Sequence, residues 1–274
     1  MKFQVKTYEI PSVKIGKKEQ GFLAAFLTDL HLAQIGPHND RLYTAICQLN
    51  PDVVLVGGDM IIAKESCDTV IAESLLFRLA ERFPVYYANG NHEQRRKERK
   101  ELYGEQFFEY KKRLTDHGII FLENQRSNFM VRGVETVIYG LELPLDFYGR
   151  FCKKTLDESE VTARIGTPDP SKVNILLAHN PQFRTTYLNW GADLILSGHI
   201  HGGIVRLGNR AVVSPQGKLF PSYGYGIYTE NERYHIVSGG LGEHTIPLRI
   251  WNPRELVAVK IKGIKQEVPH GDTY

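Results

Sequence analysis

The sequence predicts an α/β protein in which helices cross over between parallel strands. Three observations carry this: short apolar, β-branched runs recur along the chain, amphipathic stretches of helical period separate the first three, and clusters of Gly, His, Asp and Asn follow the runs directly. Phe22–Leu27 is the first such run and ends in Thr28-Asp29-Leu30-His31. Leu42, Ala45, Ile46 and Leu49 then fall at helical spacing, and Asn50-Pro51 stops the helix. Val53–Val56 ends in Gly57-Gly58-Asp59; the stripe Ile71, Leu75 and Leu79 marks a second helix; after Pro84, Val85–Ala88 ends in Asn89-Gly90-Asn91-His92-Glu93.

The middle is less regular. Tyr103, Phe107, Tyr110 and Leu114 predict a helix that stops at Gly118, and Ile119–Leu122, Phe129–Arg132 and Val134–Gly140 read as strands of a second sheet. Residues 141–170 read as a long loop with one short helix. The strand-then-cluster pattern returns with Val173–Ala178 before His179-Asn180-Pro181, and with Leu194–Leu196 before Ser197-Gly198-His199-Ile200-His201-Gly202-Gly203. Hairpins are predicted for Ile204–Leu207 with Ala211–Val213 and for Ile227–Thr229 with His235–Val237, and Leu256–Ile261 is a final strand. No repeat, low-complexity tract or linker interrupts the 274 residues, so one domain over 1–274 is expected.

Composition narrows the class. Charged residues at 24% and hydrophobic ones at 42% exclude a disordered or fibrous chain. A net charge of +3 gives no global footprint for nucleic acid, and no duplex nucleic-acid partner is expected. Cys47, Cys67 and Cys152 are odd in number, widely spaced and outside any CxxC pair, which favours a reduced, cytoplasmic setting. No apolar run approaches the roughly 20 residues of a membrane span, and the first 20 residues lack the apolar stretch of a secretory signal. The expectation is a cytoplasmic protein with at most peripheral membrane contact; the oligomeric state is not legible.

Ligands of open α/β sheets bind beyond the carboxyl ends of the strands. If the five strands are neighbours, Asp29, His31, Asp59, Asn91, His92, His179, His199 and His201 converge on one rim. Imidazole, carboxylate and carboxamide without thiolate suit Mn, Fe, Zn or Ni. These residues are too many for one tetrahedral ion, whereas two ions sharing a carboxylate can use seven of them, as in phosphatases and nucleases. Each pair alone is a weak signal, since Asp-x-His and Gly-Asp also occur in caps and turns; their shared placement after apolar strands is the strong one.

The ordered set TDLH, GGD, GNHE, LLAHNP and SGHIHGG resembles the calcineurin-like metallophosphoesterase superfamily. GHIHGG, GIIFLEN and the later VSGGLGEHTIPLRIWNPRELVAVKI resemble its bacterial branch of phosphodiesterases and UDP-2,3-diacylglucosamine hydrolases. The resemblance implies a four-layer α/β/β/α sandwich and two divalent metal ions, Mn foremost, with Fe, Zn or Ni as alternatives. It implies Asp29, His31, Asp59 and His201 at the first metal, and Asp59, Asn91, His179 and His199 at the second. His92 would be the catalytic histidine beside the leaving oxygen, with Glu93 orienting it. A metal-bridging hydroxide would hydrolyse a small phosphodiester or pyrophosphate-linked substrate. Departures are Thr28 for the usual Ser, Glu93 for the commoner Asp, Ile204 where Gln is frequent, and no amino-terminal anchor. Ser/Thr protein phosphatases share GNHE, but their Gly-Asp-x-His-Gly and GDxVDRG segments are replaced here by Thr28–Leu32 and Gly58–Ile62. A non-enzymatic scaffold of this fold and a nuclease acting on small nucleotides are the alternatives.

Other features read as structural. The basic run Arg95, Arg96, Lys97, Arg99 and Lys100 is expected to be a solvated helix face, with a funnel for anionic substrate as the alternative. The aromatic stretches Leu143–Tyr148 and Pro221–Tyr225 are expected to pack at the sandwich edge, with lining a pocket over the metals or touching lipid as the alternatives. His38, His117, His235, His244 and His270 are read as surface or hydrogen-bonded histidines.

Overall fold

The computed structural model describes residues 2–16, 20–149, 152–214, 217–243 and 248–264. His244 and His270 lie outside them. In chain order the strands are β1 (Phe3–Ser12), β2 (Phe22–Leu27), β3 (Val53–Val56), β4 (Val85–Tyr87), β5 (Ile120–Phe121), β6 (Gln125–Val131), β7 (Val134–Leu141), β8 (Val173–Ala178), β9 (Leu194–Ser197), β10 (Val205–Leu207), β11 (Arg210–Val213), β12 (Gly226–Glu230), β13 (Arg233–Val237) and β14 (Arg254–Gly263). The helices are α1 (Asp40–Leu49), α2 (Val70–Ala80), α3 (Asn91–Glu98), α4 (Lys100–Tyr103), α5 (Gln106–Asp116), α6 (Glu158–Ile165) and α7 (Arg184–Trp190).

Two six-stranded mixed sheets form, ordered β1-β14-β2-β3-β4-β5 and β12-β13-β9-β8-β7-β6. β2, β3 and β4 are parallel, as are β7, β8 and β9, as the crossover pattern predicts. Their residues are apolar on both faces because each sheet is covered on both sides; all four residues of β3 are buried. Three apolar layers separate four structural ones. Phe22, Phe26, Leu55, Ile138, Ile175 and Leu196 pack between the sheets. Leu42, Ile46, Leu75, Leu79, Tyr110 and Leu114 fasten α1, α2 and α5 to the first sheet. Val161, Ile165, Tyr187, Leu188 and Trp190 fasten α6 and α7 to the second. The fold is the four-layer α/β/β/α sandwich.

Three elements depart from the sequence reading. β1 was not predicted, because Lys and Glu interrupt its apolar residues; it runs parallel to β14 over ten register pairs at the sheet edge. β5 pairs with β4 and so belongs to the first sheet, not the second. The stretch read as a loop holds a 3-10 turn at Leu145–Tyr148 as well as α6. No helix among the described residues is long and apolar enough to cross a membrane.

Candidate metal centre

The carboxyl ends of β2, β3, β4, β8 and β9 meet at one edge of the sandwich, and the polar clusters meet there too. The turns are tied to one another before any side chain is considered. Asp29 N–H donates to Gly58 O at 2.9 Å, His31 N–H to Asp59 O at 3.0 Å and Gly198 N–H to His179 O at 3.1 Å. Five of the predicted ligands occupy left-handed backbone: Asp29 (φ 54°), His31 (46°), Asp59 (54°), His199 (69°) and His201 (52°). For residues with a Cβ this conformation is disfavoured, and such strain clusters at functional sites. Here it swings each side chain off its strand toward a common centre. Two glycines make the approach of the turns possible. A Cβ on Gly58 (φ 89°) would lie 2.0 Å from Gly90 N, and one on Gly198 would lie 2.3 Å from Asp29 Oδ2.

The ligand atoms fall into three overlapping groups: Asp29, His31 and His201; His31, Asp59 and His92; and Asp59, His179 and His199. Asp29 Oδ1 lies 3.2 Å from His201 Nε2 and 3.8 Å from both His31 Nε2 and His179 Nε2. Asp59 Oδ2 lies 3.2 Å from His179 Nε2 and 3.7 Å from His31 Nε2, so this one carboxylate reaches both sides of the cluster. His31 Nε2 and His201 Nε2 face each other at 3.1 Å.

Several of these groups are aimed by their neighbours. His179 Nδ1 is 2.7 Å from Gly57 O, a carbonyl that holds a proton on Nδ1 and turns Nε2 to the centre. Asp29 accepts the His199 N–H at 3.1 and 3.2 Å, and Asp59 Oδ1 accepts the His92 N–H at 2.8 Å in the first turn of α3. His92 Nδ1 accepts the Ala63 N–H at 2.9 Å, which places the proton of its neutral ring on Nε2. The orienting partner of His92 is therefore the Ala63 backbone, and the expectation for Glu93 is corrected. Glu93 bonds no part of His92. Its Oε2 accepts from Asp59 N at 2.8 Å and Gly90 N at 3.0 Å, and its Oε1 from Met60 N and the Tyr87 hydroxyl, each at 2.8 Å. As the third residue of α3 it folds back over the helix start, and it buckles the Asp59 turn to the Gly90 turn.

Charge at the centre favours a cation. Burial opposes ionisation of Asp29 and Asp59, yet His201 beside the first and His179 beside the second outweigh it, so both stay ionised well below the usual carboxylate range. Burial also opposes the His179 imidazolium, but Asp59 and Asp29 raise that group to about 10; the proton there balances the carboxylates. Burial pushes His31 and His199 down to about 3, leaving them neutral donors. Burial lowers His92 and, with Asp59, raises Glu93 to about 7. Among the described residues, the buried atoms without a hydrogen-bond partner include two at this centre, Asn91 Oδ1 and His179 Nε2. Such orphans need a reason, and divalent cations bound by this oxygen and nitrogen set supply one.

The family comparison agrees with this geometry. The profile of the calcineurin-like phosphoesterases matches residues 23–203, from β2 through the turn that carries His199 and His201. The chain belongs to that family. An uncharacterized metallophosphoesterase of Helicobacter pylori is 28% identical over 266 residues, covering 93% of this chain and 64% of the relative. Phosphodiesterase YaeI of Escherichia coli is 29% identical over 193 residues, covering 68% of this chain and 63% of YaeI. The chain thus spans less than two-thirds of either relative's length. Among solved structures, phosphopantetheinyl hydrolase PptH of Mycobacterium tuberculosis aligns with a TM-score of 0.48 and 15% identity over 81% of this chain and 91% of that one.

One residue at this metallophosphoesterase centre escaped the sequence reading. Arg249 donates to Gly239 O at 2.7 Å, and its Nη2 stands 3.3 Å from His201 Nδ1. It comes from a segment remote in sequence and no local motif announces it. The Tyr148 ring lies 5.2 Å from that of His199, so the Leu143–Tyr148 stretch includes a wall of the site. The basic run is not a uniform solvated face. Arg96 is fully buried and donates to Ile62 O at 3.0 Å and Lys64 O at 2.9 Å, while Lys97 pairs with Glu142 at 2.8 Å and Glu123 at 3.1 Å. His38 and His117 are exposed, and His235 is fully buried.

Proposed function

We propose that the chain is a dinuclear-metal phosphodiesterase acting on a small phosphorylated substrate. The observation that carries this reading is the position of Asp59, whose Oδ2 faces His179 on one side and His31 on the other. Asp29, His31, Asp59 and His201 would hold one cation, and Asp59, Asn91, His179 and His199 the other. When bound, such a pair activates water near neutral pH and neutralises the phosphoryl oxygens; Mn is the ion first to test.

The chain's own groups supply the rest. His92 presents Nε2–H as a neutral imidazole, because an imidazolium would need a proton on the nitrogen that already accepts from Ala63. It is thus placed to donate to a leaving oxygen, an effect worth ~10²–10⁴ in rate. The start of α3 adds positive helix-dipole potential at the same point. Diester preference is supported by a groove of about 850 Å³ that runs from His199 and Tyr148 toward Lys218 and Phe220, with room for a second substituent on phosphorus.

The test is hydrolysis of bis-p-nitrophenyl phosphate with Mn²⁺ and with chelator. Turnover that needs Mn²⁺ is expected. Asp59→Asn should abolish it and lower the content of both metals together; a variant that still carries two ions would refute the shared carboxylate. Faster hydrolysis of the monoester than of the diester would overturn the diester preference.

A further inference from the structure

We infer that a second cavity, apart from the metal centre, binds a molecule that joins a phosphate to an aromatic ring through a linker, as a nucleotide does through its sugar. The cavity, about 800 Å³, lies between β1, the turn joining β10 to β11, and the segment 220–228. Tyr8, Tyr223, Tyr225 and Tyr228 line it together with Lys6 and Arg210, and no Asp or Glu does. Among the described residues neither cation has an ion pair or hydrogen bond; Lys6 Nζ stands only over the Tyr8 ring, 5.7 Å from its centre. Cations elsewhere on the surface are mostly matched, as Lys100 is by Glu105 at 3.0 Å and Lys112 by Asp116 at 2.7 Å. Two unmatched ones on a wall without carboxylates attract an anion.

The tyrosines decide which anion. Their rings are held from behind: the Tyr225 hydroxyl donates to Glu255 at 2.7 Å, and the Arg206 guanidinium lies 3.8 Å from the Tyr225 ring centre. Tyr223 meets Tyr228 edge to face at 5.2 Å. Such fixed aromatic surfaces bind flat rings with little loss of side-chain freedom. A bare anion would leave the half-buried Tyr223 and Tyr228 rings uncovered, and a neutral ring would leave the cations unused. The site needs no metal, and it stands or falls independently of the proposed hydrolysis. Phe220–Ser222 lines both this cavity and the groove at His199, so an occupant would touch the wall of that groove.

Isothermal titration calorimetry of the full chain with AMP, adenosine and inorganic phosphate tests this, with Mn²⁺ and with chelator. AMP should bind equally in both conditions, and adenosine and phosphate at least tenfold more weakly. The double variant Lys6→Ala/Arg210→Ala, at a half-buried and an exposed position, should lose at least tenfold in AMP affinity with an unchanged Tm. Tyr228→Ala should also weaken AMP, and Tyr228→Phe should restore it. AMP binding only with Mn²⁺, no tighter than inorganic phosphate, or unchanged in the double variant would each overturn the inference.

Discussion

His92 and Glu93 are adjacent in sequence and do different work. His92 faces the cluster from the first turn of α3, its ring fixed by Ala63 N–H. Glu93 faces the opposite way, fully buried, and gathers backbone N–H groups from two turns. Truncating the first should leave the metals in place: His92→Ala is expected to retain both ions by elemental analysis while kcat falls ~10²–10⁴-fold. A metal-free variant would make His92 a ligand instead. The placement of Asp29, His31, Asp59, Asn91, His179, His199 and His201 just beyond the carboxyl ends of strands was legible because each follows an apolar run. The task of Glu93 was not, because a carboxylate beside a histidine reads as its partner until the backbone conformation is known. Arg249 was illegible for another reason: its contact with His201 spans 48 residues and leaves no local pattern.

At the scale of elements, the centre depends on how closely the turns approach. The Gly198 turn leaves no room for a methyl group, since a Cβ there would also lie 2.3 Å from Thr28 Oγ1. Gly198→Ala should therefore push Asp29 aside, lower the metal content and reduce stability in urea by about 1–3 kcal/mol. Gly149→Ala is the control, since among the described residues its Cβ would meet only Asp146 O, at 3.6 Å. Central parallel strands were legible because they are apolar on both faces, whereas β5 was placed in the wrong sheet because two residues carry no register information.

For the whole molecule, a buried histidine links stability to pH. His235 Nε2 sits 2.9 Å from Ser197 Oγ, which itself donates to Ala178 O, so the imidazole donates and its Nδ1 stays bare, with no partner. Burial, helped by Arg184, pushes the group down to about 3 from 6.5. The unfolded chain takes up a proton below the ordinary value and the folded one does not. Stability should therefore fall as pH drops from 6.5 toward 3, by about 1.4 kcal/mol per pH unit from this residue. Urea titrations at several pH values, at equal metal load, should show that slope reduced in His235→Phe. An unchanged slope would clear His235 of the effect.

The order of the first sheet carries a consequence in time. β14 lies between β1 and β2, so β1 finds its partner only when residues 254–263 have emerged. Until then β2 keeps an open edge, and an unpaired edge recruits other chains. A chain cut after Pro253 should precipitate on expression while the full chain remains in solution, a comparison that centrifugation of the two lysates settles. A nascent copy stalled before residue 254 is thus the form of this protein most in need of a chaperone.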